Sequence, residues 1–233
     1  MSILWSSSLL KEIVNASSTK DWEASGVAID SRKVKKGDLF CALNGVNFNG
    51  HDYVYSAYEK GASACLISEN IQNTKDIALA KVNNVLDAIV IMAQNSRTRS
   101  TAKFIAVTGS VGKTGTKDMM HLALSKVANT YSNESSYNNF LGVPLSLARV
   151  PPNTDFCILE LGMNKKGEIR KLSKLVKPEV AVLTAIERSH LEGLKTLKNI
   201  ADAKSEILES LDKNGCLIIN NDTNFNQYFR NKA

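Results

Sequence analysis

The run Thr108-Gly109-Ser110-Val111-Gly112-Lys113-Thr114 constrains the fold of this chain more than any other stretch, because of what flanks it. The apolar residues 104–107 before it read as a buried strand, and a stretch with helical spacing follows. Strand, glycine-bearing loop, Gly-Lys-Thr and helix in that order form a phosphate loop in its proper context. Gly109 and Gly112 permit backbone conformations that other residues resist, so successive N–H groups of the loop, through Ser110, Val111 and on to Gly115, can turn toward an anion. The helix N-terminus adds partial positive charge. Lys113 can then reach the outer phosphates of a nucleotide, and the Thr114 hydroxyl can hold Mg²⁺. The longer pattern Gly-x-x-x-x-Gly-Lys asks for glycine at position 107, where this chain has Val107. That departure argues against a generic nucleotidase and for a subclass with a shorter glycine loop. A glycine turn with an incidental lysine is the competing reading, and it leaves the joint occurrence of all four features unexplained.

Around this loop, short apolar runs alternate with amphipathic stretches, which predicts an α/β fold throughout. Strands are expected at 26–30, 38–43, 63–67 and 77–82, with helices at 53–60 and 85–97 and a polar linker over 95–101. After the linker the expected order is strand 103–108, helix 116–127, strand 156–161, helix 168–176, strand 180–184, helix 197–211 and strand 216–220. Such spacing implies crossover connections and a mainly parallel sheet, with the ligand site at the carboxyl ends of the strands. Two domains follow, residues 1–98 and 99–233.

Composition supports an ordinary globular protein: 43% hydrophobic and 22% charged residues give no sign of disorder. The first ten residues lack the basic flank and apolar core of a secretory signal, and no run approaches a membrane span, so a cytoplasmic location and no membrane insertion are expected. Cys41, Cys65, Cys157 and Cys216 are far apart and make no CxxC pair, which predicts buried, reduced thiols. The net charge of +6 lies mainly in the second part, where 18 Lys and Arg face 13 Asp and Glu, against 11 and 10 in residues 1–100. Aromatics are only 6% of the chain and no dense basic stripe interleaves with them, so phosphorylated small molecules explain the excess without nucleic acid.

Further stretches follow the loop in a telling order: Asn138-Asn139-Phe140-Leu141-Gly142-Val143-Pro144, Glu160-Leu161-Gly162-Met163-Asn164, Gly167-Glu168-Ile169, Ser189-His190-Leu191-Glu192, Ala203-Lys204-Ser205-Glu206-Ile207 and Asn220-Asn221-Asp222. Upstream stand Asp30-Ser31-Arg32, Gly37-Asp38-Leu39-Phe40 and Gly50-His51-Asp52. Together with the loop these resemble the Mur ligases, the ATP-dependent enzymes that build the peptide of the bacterial cell wall, over nearly the whole chain. Within the family the similarity is greatest to the branch that joins D-alanyl-D-alanine to UDP-N-acetylmuramoyl-tripeptide. The resemblance implies a UDP-sugar-peptide-binding domain in residues 1–98 and a central ATPase domain in 99–233. It also implies a further C-terminal domain beyond Ala233, so that this polypeptide alone is expected to be inactive as a ligase. A monomer is expected.

By the same resemblance, ATP is held by Gly109, Ser110, Val111, Gly112, Lys113, Thr114 and Gly115. Thr114 and Glu160 hold one Mg²⁺, and His190 helps hold a second. Glu160 suits the role because it ends an apolar strand and should emerge at the sheet's carboxyl edge; taken without the family it reads as a solvated surface charge. His190 by spacing alone reads as a turn residue, since Mg²⁺ prefers oxygen ligands. Lys204, on a charged helix, would ordinarily be solvated; the family implies that it is carbamylated and supports the metal. Ser31, Arg32, Asn44 and Gly45 are implied at the UDP moiety, although Arg32 could equally pair with Asp30 or Asp38. Asn138 and Asn139 are implied near the sugar-peptide, although asparagine also makes turns and caps helices. His51 and His121 are expected to be structural. Three other readings stay open: a sister ligase adding a different amino acid, a non-catalytic nucleotide-binding module, and a nucleic-acid-binding protein suggested only by the pI near 9.1.

Overall fold

The computed structural model describes residues 2–72, 74, 76–134, 137–187 and 194–232. The chain divides into two compact units, Met1–Thr98 and Arg99–Ala233.

The first unit runs β1 (Trp5–Ser6), α1 (Ser7–Val14), β2 (Ser17–Ser18), β3 (Glu23–Ala24), β4 (Gly26–Ala28), β5 (Asp38–Cys41), α2 (Val54–Glu59), β6 (Ala64–Ile67), β7 (Leu79–Lys81) and α3 (Val85–Arg99). Helix α1 starts where the Ser6 hydroxyl accepts the Leu9 amide at 3.3 Å, and it stops at Asn15, whose left-handed backbone turns the chain away. Strands β4 to β7 pair in parallel, in the order β7-β6-β5-β4, and β2 closes the β7 edge antiparallel. Every residue of β6 is buried, as expected of an inner parallel strand covered on both faces. Phe40, Val54, Ala57, Cys65, Ile67 and Leu79 form the core on one side.

In the second unit the order is β8 (Lys103–Thr108), α4 (Lys113–Leu124), β9 (Thr130–Ser132), α5 (Gly142–Ala148), β10 (Phe156–Glu160), α6 (Glu168–Val176), β11 (Val180–Leu183), α7 (Leu197–Ser205), β12 (Cys216–Ile219) and α8 (Asn226–Arg230). All five strands are parallel, in the order β12-β11-β8-β10-β9. Strand β8 is central, and the chain builds first on its β10 side and then on its β11 side. The crevice at the carboxyl ends of β10, β8 and β11 is therefore a topological switch point, the place where such sheets bind ligands. Register puts Glu160 opposite Val107 and Leu183 opposite Thr108, so the ends of the three strands come level beside the phosphate loop. Helix α8 is pinned by buried Phe229 and by the Tyr228 hydroxyl, which donates to Asp202 on α7.

The expected α/β architecture is observed, with four local differences. Helix α3 continues through Arg99 instead of yielding to a linker at 95, since Ser96 is buried and the remaining polar residues fit a helix surface. Helix α4 begins at Lys113, three residues early, because the loop opens directly into it. The helix expected over 197–211 is α-helical only to Ser205 and then tightens into a 3₁₀ turn at Glu206–Ser210. Cys216 is exposed rather than buried: β12 is an edge strand whose residues alternate toward solvent. The other three thiols are buried, and burial pushes that of Cys65 up to about 12, which makes it unreactive.

Candidate functional site

The phosphate loop is fixed by the end of β11. Ser110 donates its amide to Ala185 O at 2.7 Å and its hydroxyl to Glu187 O at 3.0 Å, while the Thr184 hydroxyl donates to Val111 O at 2.6 Å. Glycine is required at 109, since a Cβ there would overlap the Thr184 hydroxyl. At 112 the backbone turns through φ 80° to cap α4, a conformation that glycine adopts without strain. A Cβ at Gly115 would meet nothing. The first amides of α4 have no intrahelical acceptor and point out of the helix end, where an anion is favoured.

Three polar side chains converge beside this helix end. The Thr114 hydroxyl donates to Glu160 Oε2 at 2.7 Å, and Asn138 Nδ2 donates to Glu160 Oε1 at 2.9 Å. Glu160 is only 2% exposed, so its carboxylate is a buried acceptor whose two oxygens are aimed by neutral donors. Lys113 Nζ lies over the loop, donating to Gly109 O at 3.0 Å and Ser110 O at 3.3 Å. Lys204, 1% exposed on α7, donates to the same Gly109 carbonyl at 2.7 Å. Burial first, and then the neighbouring Lys113 ammonium, bring the Lys204 amine down to about 7. Lys113, Lys204, Asn138, Asn139, Met163 and Glu168 line a cleft of about 470 Å³ within this unit.

The donor set suits Mg²⁺. Thr114 and Glu160 offer hard oxygens on the helix and strand that flank the loop. Among the described residues no three His, Cys, Asp or Glu gather into a metal cluster. Beside a nucleotide Mg²⁺ commonly takes one or two protein oxygens and completes its shell with water and phosphate, and Thr114 and Glu160 fit that pattern.

Of the remaining expected residues, His190 lies outside the described residues. Asn139 is a local cap: its Oδ1 accepts the amides of Leu141 at 3.1 Å and Gly142 at 2.9 Å, starting α5, while its side chain still lines the cleft. In the first unit Ser31 is buried, and Arg32, 84% exposed, makes a two-pronged pair with Asp30 at 2.9 Å on both arms. The Arg32 side chain beside it lowers the Asp30 carboxyl to about 2. Asn44 donates to Glu69 Oε1 at 2.7 Å and meets His51 Nδ1 at 3.0 Å, and Gly45 packs against the Phe48 ring where a Cβ would clash. His51 Nε2 accepts the Ser68 amide at 2.9 Å, so Nδ1 carries the proton, and burial lowers the ring's pKa. That is a structural histidine. His121 Nδ1 is a buried nitrogen without a hydrogen-bond partner.

Sequence reasoning missed Asn133, Lys117, Thr184 and the fixing role of Glu206. Glu206, 2% exposed, accepts the amides of Gly167 at 2.9 Å and Arg170 at 3.2 Å, tying the 3₁₀ turn after α7 to the start of α6. Its signal was present, a glutamate inside the motif at 203–207, but the partner 39 residues earlier is a tertiary fact.

Comparison with known proteins gives the family. A family model described as Mur ligase middle domain matches residues 107–233, and one described as Mur ligase family, catalytic domain, matches 23–107. The UDP-N-acetylmuramoyl-tripeptide–D-alanyl-D-alanine ligase of Rickettsia prowazekii is 40% identical over 95% of this chain and 49% of its own length. That of Bacillus subtilis is 39% identical over 83% of the chain and 42% of its own length. A crystal structure of MurF from Acinetobacter baumannii aligns with a TM-score of 0.84 at 30% identity, over 100% of this chain and 52% of the other. MurF from Thermotoga maritima, solved in complex with ADP, aligns at 0.73 with 27% identity, over 89% and 48%. The chain therefore spans about half the length of the relatives it matches. No described helix is long and apolar enough to cross a membrane. With the middle-domain match alone covering more than half of its residues, the chain belongs to the Mur ligase family.

Proposed function

We propose that this chain forms the substrate-binding and nucleotide-binding parts of a ligase that joins D-alanyl-D-alanine to UDP-N-acetylmuramoyl-tripeptide at the expense of ATP. The observation that carries the reading is the meeting of Lys113, Thr114, Glu160, Asn138 and Lys204 at the carboxyl ends of β8 and β10. Residues 1–98 supply the UDP-sugar-peptide domain in this reading, with Ser31, Arg32, Asn44 and Gly45 at the UDP moiety, and 99–233 the ATPase domain.

The chemistry joins two anions, a peptide carboxylate and a triphosphate. A carboxylate oxygen attacks the γ-phosphorus, the bond to the ADP oxygen breaks, and an acyl phosphate results. The amine of D-alanyl-D-alanine then attacks the acyl carbon, inorganic phosphate leaves, and the amine gives up a proton. Lys113 swings from its loop carbonyls onto the outer phosphates, and the loop amides and α4 hold the chain of phosphates in line. Thr114 and Glu160, and on the family's pattern His190, would hold Mg²⁺, which when bound would supply charge neutralisation on the transferring group. Asn138 and Asn139 face the sugar-peptide across the cleft. Lys204 reacts with CO₂ to give an anionic carbamate and a released proton; its burial and its place beside Lys113 support this, because the reaction needs an uncharged amine. The protein acts as a cytoplasmic monomer.

Fusing residues 1–233 to the remaining half of the Bacillus subtilis relative tests the reading. The expected outcome is amide formation that requires ATP, Mg²⁺ and D-alanyl-D-alanine, while the 233-residue chain alone forms none. ATP·Mg²⁺ binding without transfer by a folded fusion would identify a non-catalytic module, and transfer of a different amino acid would identify a sister ligase.

A further inference from the structure

Asn133 lies just past β9, 2% exposed, and uses its whole amide group. Its Oδ1 accepts the Glu160 amide at 2.8 Å, and its Nδ2 donates to Glu160 O at 3.1 Å and to Tyr137 O at 2.7 Å. The side chain thus pairs with both main-chain groups of Glu160, as a neighbouring strand would, and extends the sheet for one residue beyond the end of β9. Through Tyr137 it also holds the backbone beside Asn138, whose side chain and carbonyl bind Glu160 Oε1 at 2.9 Å and Gly162 N at 2.7 Å.

The carbonyl of Asn133 carries a second load. It accepts Lys117 Nζ at 2.7 Å, and Lys117 is a lysine 3% exposed on α4, one turn beyond Lys113 and Thr114. Its other partner is Asp118 at 2.9 Å. Burying an ammonium is costly unless it is paired and hydrogen-bonded, and Lys117 is both. It holds the phosphate-loop helix to Asn133. Thr114 comes from that helix, Glu160 from β10 and Asn138 from the backbone next to Tyr137, and Asn133 is bonded to all three supports.

We propose that Asn133, braced by Lys117, is the positioning residue that sets the spacing of Thr114, Glu160 and Asn138 and so tunes the site for a divalent cation. The inference rests on the Mg²⁺-nucleotide reading of that site. Its effect should fall mainly on the cation, because the loop residues Ser110 and Val111 keep separate ties to Thr184, Ala185 and Glu187.

ADP affinity of the 233-residue chain, measured by calorimetry in excess Mg²⁺ and in EDTA, separates the two. For Lys117→Met and Asn133→Asp, and for Asn133→Ala where it folds, the expected result is a loss of roughly tenfold to a hundredfold in Mg²⁺. Affinity in EDTA should stay within about twofold of the unaltered chain, because the loop is untouched. Lys117→Arg, which keeps a donor, should recover most of the loss. Folded variants with unchanged Mg²⁺-dependent affinity overturn the inference, as does a parallel loss in Mg²⁺ and EDTA, which marks a merely structural role; loss of folding in all of the variants has the same meaning. If the unaltered chain binds ADP no better with Mg²⁺ than without, it is the nucleotide reading that fails.

Discussion

Arg32 in the first unit and the polar cluster around Glu160 in the second are held in opposite ways. In the first, Arg32 is 84% exposed and satisfied by Asp30 two residues away, a pairing that any surface could hold. In the second, Glu160, Lys204, Lys117 and Asn133 are all at most 3% exposed, and each has a partner 16 to 95 residues away in sequence. Folding must offset the desolvation of each buried charge, whereas the exposed pair costs little and contributes little. Buried, long-range polar contacts therefore mark where the fold has been shaped by chemistry; the Arg32–Asp30 pair does not distinguish binding from surface decoration.

The largest effect that could break this contrast is at Lys113. Lys113→Ala should weaken ADP binding by roughly a hundredfold, the scale expected on losing charge-assisted bonds to phosphate. Calorimetry reads it directly, and an unchanged affinity would remove the loop from the site. Next is Lys204. In the ligase fusion, Lys204→Ala should cut amide formation about tenfold to a hundredfold, as for loss of a group that supports a metal ligand sphere. Formate or acetate should restore part of the rate by replacing the missing carbamate. Full activity in the variant, or no response to either anion, contradicts the modification.

The smallest effect belongs to the exposed pair. The carboxyl of Asp30 is lowered to about 2, first by the Arg32 side chain, so its contribution to stability is present above the ordinary value near 3.8 and is lost as pH falls through about 2. Exposure and salt screen that contribution, and neutral-pH stability should hardly change in Arg32→Ala. Carbon-detected titration of Asp30 should show its midpoint rise toward 3.8 in that variant. A midpoint that does not move would mean that Arg32 is not paired in solution.

Much of this could be read from the chain. The loop, the strands β8, β10 and β11, and the order of the motifs are encoded in contiguous residues, and local periodicity reports them. Helix α5 escaped because all seven of its residues are buried, so it has no polar face to give a helical period. Strand β9 has three half-exposed residues, too short for alternation to register. Asn133 looks like a turn asparagine, and only the return of β10 reveals what its amide meets. Lys117 looks like a solvated lysine beside a phosphate loop, although it is buried. Glu160 was placed by resemblance, since a strand-end glutamate by itself reads as a surface charge.

The central claim is that a divalent cation and a nucleotide's phosphates share the space between the phosphate loop and Glu160. A crystal of the chain grown with ADP and Mn²⁺, with the ion located from its anomalous scattering, tests this most directly. The ion should lie within hard-cation coordination distance, about 2.0–2.6 Å, of Thr114 Oγ1 or of the Glu160 carboxylate, with the β-phosphate against the first amides of α4. Phosphates seated elsewhere, or a manganese ion beyond the reach of both side chains, would contradict it.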